Sequence, residues 1–155
     1  MPDTLRSRPL FVLGLKIAYD RIEDIGPIPA GLRKVFAVEG GTFEGDRLRG
    51  IALPGGADWV LWRSDGAMMI DVRVTLRTDD GALIGMHYTG IATAPPDVME
   101  RFNRRENVPF ADYYARTIPR FETSAPKYAW LNSIVAVANG LRTPTGPIYH
   151  VFEIT

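Results

Sequence analysis

Apolar and polar residues alternate along most of this chain with the two-residue period of a half-buried strand. The clearest case is MMIDVRVTLRT, Met68–Thr78, where Met68, Ile70, Val72, Val74 and Leu76 share one face. Met69, Asp71, Arg73, Thr75 and Arg77 share the other. Similar segments are PLFVLGLKIA (9–18), LRKVFAVEGGTFEG (32–45), DRLRGIALPGG (46–56), ADWVLWRS (57–64), ALIGMHYTGIA (82–92), YYARTIPRFET (113–123), KYAWLNSIVAVANG (127–140) and PIYHVFEIT (147–155). Gly45-Asp46, Ser64-Asp65-Gly66 and Asp79-Asp80-Gly81 separate several of them. Asp-Gly pairs supply the positive φ that tight hairpins need, so neighbouring strands pair antiparallel. YDRIEDIGPIPAG (19–31) reads as a loop. PPDVMERFNRRENV (95–108) is the exception, a short helix started by two prolines, with Met99 and Phe102 on one stripe.

About eight or more short strands in sequential hairpins leave two sheet edges exposed unless the sheet closes on itself. The pattern therefore predicts an all-β fold, a single antiparallel β-barrel with one short helix, spanning residues 1–155 as one domain. An open sandwich is the competing all-β solution; a doubly wound α/β fold lacks the helices.

Composition narrows the function classes. Eighteen basic residues balance eighteen acidic ones, which argues against a nucleic-acid binder, since phosphate binding needs a basic surplus or patch. The absence of cysteine removes disulfides and thiol nucleophiles and is compatible with a cytoplasmic protein. The apolar run near the N-terminus is interrupted by Lys16 and is too short to span a membrane. VEGGTFEG and LPGGADW lack the spacing of phosphate-binding loops. His87 and His150 stand alone, without metal-ligand spacing or a GxSxG elbow nearby, so no metal and no cofactor is expected.

What remains is chemistry by carboxylate, arginine, tyrosine and amide. Asp71 and Arg73 project from one strand face, about 7 Å apart at their roots. Facing water, they form a surface ion pair worth at most about 1 kcal/mol. Facing a lumen, they are desolvated and need partners, so their protonation behaviour shifts. Periodicity alone leaves both orientations open. Tyr128, Trp130 and Asn132 share a face if their segment is a strand, and Trp59 and Tyr88 are further aromatic candidates. Glu39, Asp58 and Glu122 are further carboxylates.

The stretches VEGGTFEGDRLRGIALPGGADWVLWRSDGAMMIDVR, TDDGALIGMHYTG and PRFETSAPKYAWLNSIVAVANG, above all GGADW, DVR, DGA and YAWLN, resemble the family of domain of unknown function 3237. The resemblance runs from Pro9 to Ile154. It implies an antiparallel barrel similar in shape to allene oxide cyclase and dirigent proteins, which hold apolar or phenolic molecules in the lumen, often as oligomers. It favours a lumen-facing Asp71–Arg73 pair. The expectation is then a cofactor-independent lyase or isomerase acting on a small aromatic or polyketide-like carbonyl compound, in a homo-oligomer. Asp71 is the acid or base and Arg73 holds the oxyanion. Trp59, Tyr88, Tyr128, Trp130 and Asn132 bind the substrate. The alternative is a non-catalytic barrel that carries an apolar small molecule.

Overall fold

The computed structural model describes residues 3–155 and is an all-β antiparallel barrel. Its strands are β1 (Ser7–Ile17), β2 (Glu23–Ile28), β3 (Gly31–Glu44), β4 (Arg49–Ala52), β5 (Ala57–Trp62), β6 (Met68–Thr78), β7 (Leu83–Thr93), β8 (Tyr114–Glu122), β9 (Val135–Thr143) and β10 (Gly146–Ile154). One α-helix, α1 (Pro96–Asn103), lies between β7 and β8. The hairpins expected at Gly66 and Gly81 form there, both glycines adopting positive φ (86° and 89°).

Closure comes from β1, which pairs with β10 on one side and with β3 on the other. The long β3 serves two neighbourhoods. Its first half pairs with β2 and β5, and its second half with β1 and β4. β4 and β5 thus share one position between β3 and β6, and β2 hangs outside the ring, leaving eight staves.

Two segments differ from the sequence pattern. The stretch expected to be a loop contains β2, which folds back on β3 through Ile28–Gly31. Pro126–Ser133, expected as the start of a strand, is a 3-10 helix in which Tyr128 and Leu131 are the buried residues. Their spacing of three matches the 3-10 repeat, so one face of that helix packs on the barrel.

The core is a single cluster lining the inside of the barrel, with Leu13, Leu76, Ile84 and Ala136 fully buried. β6 alternates without a break: Met68, Ile70, Val72, Val74, Leu76 and Thr78 are buried, while Asp71, Arg73, Thr75 and Arg77 are exposed. The expected lumen-facing placement of Asp71 and Arg73 is therefore corrected, and the magnitudes explain why. Turning β6 over would expose five large apolar side chains, each worth about 1.5–3 kcal/mol buried. An ion pair cannot offset that. Among the described residues no helix is long and apolar enough to cross a membrane.

Candidate functional site

Most of the candidates from the sequence sit on the outer wall or at the barrel ends. The Asp71 side chain meets no lumen group; its Oδ1 lies 2.9 Å from His87 Nε2. Arg73, His87 and Arg120 are direct cross-strand neighbours on the outside of β6, β7 and β8. With Trp59, Glu122 and Asn132 they border an open outer groove. Trp59 is 50% exposed, so its ring is not a lumen platform. Glu39 pairs with Arg21 and Lys16 on the surface.

The YAWLN residues hold the barrel end together. The Tyr128 hydroxyl donates to Asp80 at 2.9 Å. Lys127, Thr78 and Tyr128 together hold the Asp80 carboxyl well below the usual carboxylate range. Asn132 clasps the Thr123 backbone twice, accepting from its N–H and donating to its carbonyl, both at 2.9 Å. Trp130 supports the Arg47 guanidinium 4.1 Å above its ring. Of the candidates, Asp58 and Tyr88 alone line the inner cavity.

Asp58 points inward because its cross-strand partners do. It lies opposite Phe36 of β3 and Val72 of β6, both buried. The β5–β6 ladder breaks between Asp58–Val72 and Leu61–Met69. In that gap the Asp71 N–H donates to Asp58 Oδ1 at 3.2 Å. Although the residue keeps part of its surface, the carboxylate is set into the cavity wall. Burial pushes its pKa up to about 7, against the opposing pull of the Asp71 N–H and the Arg142 and Arg33 charges.

Across the cavity stand Tyr88, Tyr149 and Arg142. The two tyrosine rings meet edge to face at 4.9 Å between centres. Burial raises both hydroxyls above the ordinary tyrosine range, with the Asp58 charge adding to the effect. They are therefore protonated at neutral pH; the Tyr88 hydroxyl is buried, has the Tyr149 hydroxyl within reach, and makes no hydrogen bond of good geometry. Arg142 is partly buried, its guanidinium 4.6 Å over the Phe102 ring and its Nε buried without an acceptor. Burial lowers its pKa from the ordinary arginine value.

Sequence reasoning missed Tyr149 and Arg142. The signal for Arg142 was present: Ala136, Ala138, Gly140 and Arg142 share one face of β9, so the side that points inward ends on a cation. Tyr149 is the register partner of Gly140, where the absent side chain leaves room for its ring.

The remaining walls are apolar, including Leu15, Val60, Ile70 and Val72. Phe102, carried by α1, closes the mouth together with Tyr19 and Trp62. The cavity and its open mouth together enclose about 640 Å³. As it stands, the lumen takes a small molecule. Among the described residues no group of three or more His, Cys, Asp or Glu side chains is gathered as a metal site.

A carboxylate titrating near neutrality, two protonated phenols and a cation around an apolar hollow can move a proton and stabilise an oxyanion. Fold and site together define a closed antiparallel barrel with one ionisable cluster inside an apolar lumen. The chain belongs to the family described as protein of unknown function (DUF3237), whose model matches residues 6–154. A UPF0311 protein of Rhodopseudomonas palustris is 29% identical over 99% of both chains. A conserved protein of unknown function from the same organism superposes with TM-score 0.94 at 28% identity, covering 99% of this chain and 100% of that one. A β-barrel-like protein of Acinetobacter baumannii is 34% identical with TM-score 0.86, covering 100% of this chain and 99% of that one. A structure of an enzyme from Penicillium herquei, 20% identical with TM-score 0.75 and covering 100% of this chain and 98% of that one, shares the fold.

Proposed function

We propose that the protein is a cofactor-independent acid–base enzyme, a lyase or isomerase, acting on a small aromatic or polyketide-like carbonyl compound held in the lumen. Asp58 is the proton acceptor and donor. Tyr88 and Tyr149 donate to the carbonyl oxygen as it becomes an enolate, and Arg142 adds positive charge to that side. The carboxylate–arginine chemistry sought in Asp71 and Arg73 thus passes to a pair inside the barrel.

One observation carries this reading. The Asp58 carboxylate faces a cavity that also holds a buried Tyr88 hydroxyl, which has the Tyr149 hydroxyl near it but no hydrogen bond of good geometry. An unpaired buried hydroxyl costs about 1–3 kcal/mol, a cost that a bound oxygen acceptor would remove. A base with a pKa close to the working pH is also the one general base catalysis favours. That a Penicillium herquei protein of the same fold is an enzyme agrees with a barrel of this shape supporting catalysis.

The test is deuterium exchange at the carbon next to the carbonyl in a panel of aromatic ketones and β-diketones, followed by NMR. Wild-type protein is expected to accelerate exchange in at least one compound, and Asp58→Asn to lose about 10²–10⁴-fold of that acceleration. Equal rates with the Asn variant would remove Asp58 from the mechanism. A compound captured but recovered unchanged, with no exchange in its relatives, would favour a carrier barrel.

A further inference from the structure

We infer that the molecule taken into the lumen is an anion, a carboxylate on a small apolar body, and that Arg142 is the residue that seats it. The inference rests on the lumen being the functional site and adds the class of molecule it accepts.

The inward face of β9 runs Ala136, Ala138, Gly140, Arg142. Three positions too small to fill the hollow are followed by the bulkiest cation available. Arg142 and Asp58 are the two formally ionisable acid–base charges among the lining residues. They do not satisfy one another: Asp58 accepts from the Asp71 N–H, and Arg142 Nε has no acceptor. The Phe102 ring beneath Arg142 offers a cation–π contact, which leaves the in-plane N–H donors free.

A guanidinium whose Nε–H is buried without an acceptor cannot escape the cost by losing its proton, because arginine stays charged in proteins. Asp58 shares the cavity but does not hydrogen-bond Arg142, so a bound anion is what would pair with that N–H. The surroundings reinforce this. Arg105 lies over Tyr19, 4.2 Å from the ring centre, at the same mouth, and the facing groups from β7 and β10 are the neutral phenols Tyr88 and Tyr149. Between Arg105 outside and Arg142 inside, a path of positive charge leads into an otherwise apolar hollow.

Carboxylate fits this better than a diffuse or doubly charged anion. The guanidinium edge matches its two oxygens, and the single cation neutralises one charge. The apolar body then lies along Val60, Ile70 and Val72, which brings its reacting carbon beside Asp58 and Tyr88.

The full-length chain titrated with 3-phenylpropanoate and with its neutral isostere 3-phenylpropanamide, read by the tyrosine and tryptophan ring resonances, tests the inference directly. The carboxylate is expected to bind at least about tenfold more tightly than the amide, a difference of about 1.4 kcal/mol. Arg142→Gln is expected to abolish that preference, and Arg142→Lys to retain part of it. Equal binding of the two compounds by wild-type protein would overturn the inference without recourse to any variant. So would a preference that survives in Arg142→Gln, or no saturable carboxylate binding up to about 10 mM. Failure of the exchange experiment with the preference intact would remove catalysis and leave anion binding standing.

Discussion

Asp58 and Asp71 are joined by one hydrogen bond, from the Asp71 N–H to Asp58 Oδ1 at 3.2 Å, yet their carboxylates face opposite sides of the barrel wall. The Asp71 side chain is 53% exposed and meets His87; the Asp58 carboxylate is enclosed. Their consequences for stability are accordingly different. Asp58 has a folded-state pKa raised from 3.8 to about 7, so between these values the folded chain keeps a proton that the unfolded chain has lost. Stability contributed by the protonated form is full below about pH 4 and falls as pH rises towards 7, by up to about 4 kcal/mol. Asp58→Asn stays neutral throughout and its amide oxygen can still accept from the Asp71 N–H. Urea unfolding is expected to show this variant more stable than wild type at pH 8, with the gap closing at pH 4. Asp71→Asn is expected to change stability by less than about 1 kcal/mol at either pH. A gap for Asp58→Asn that is the same at both pH values would show that its carboxylate is solvated.

At the scale of elements, α1 is the part of the fold most closely tied to the cavity. Its prolines start the helix, and Met99 and Phe102 bury its one apolar stripe against the barrel. Three further contacts hold it down. Trp62 Nε1 donates to Asn103 Oδ1 at 3.1 Å, Arg105 covers Tyr19, and Arg142 covers Phe102. Arg105 adopts a positive φ of 61°, a left-handed conformation that costs a non-glycine residue about 1 kcal/mol, so the chain leaves α1 under local strain. A helix of eight residues has little stability of its own and depends on such contacts. Asn103→Ala removes a single hydrogen bond, worth about 1 kcal/mol. It is expected to speed amide exchange in α1 by about fivefold while β6 and β7 are unchanged. If exchange rises equally in the strands, α1 is not a separable cover.

The whole molecule is a ring of unequal seams. β6 and β7 pair without interruption from Met68–Ala92 to Arg77–Leu83, whereas β8 and β9 pair only at Arg116–Asn139 and Thr117–Ala138. Pro119, two residues beyond the last pair, has no N–H to give, and Ile118, Val135 and Val137 are left exposed beside the gap. Amides facing this seam are expected to exchange orders of magnitude faster than those between β6 and β7, measured by native-state hydrogen exchange. Uniform protection around the ring would contradict it. Much of this architecture was legible in the chain: the period-two faces, the Asp-Gly turns and the proline-led helix all appear where expected, because each is set by neighbours within a few residues. The 3-10 helix at Pro126–Ser133 was not, since its aromatic residues fit a strand pattern equally well until Tyr128 found Asp80, 48 positions away. The site was legible only in its pieces. Sequence determined that β6 has one apolar and one charged face, and that Asp58 shares a face with Val60. Only closure of the ring decided which face looks inward, because the burial of Met68, Ile70, Val72, Val74 and Leu76 outweighs any outward ion pair. Closure also carried β5, β7, β9 and β10 to one hollow, where burial raises the Asp58 pKa and leaves the Arg142 Nε without an acceptor.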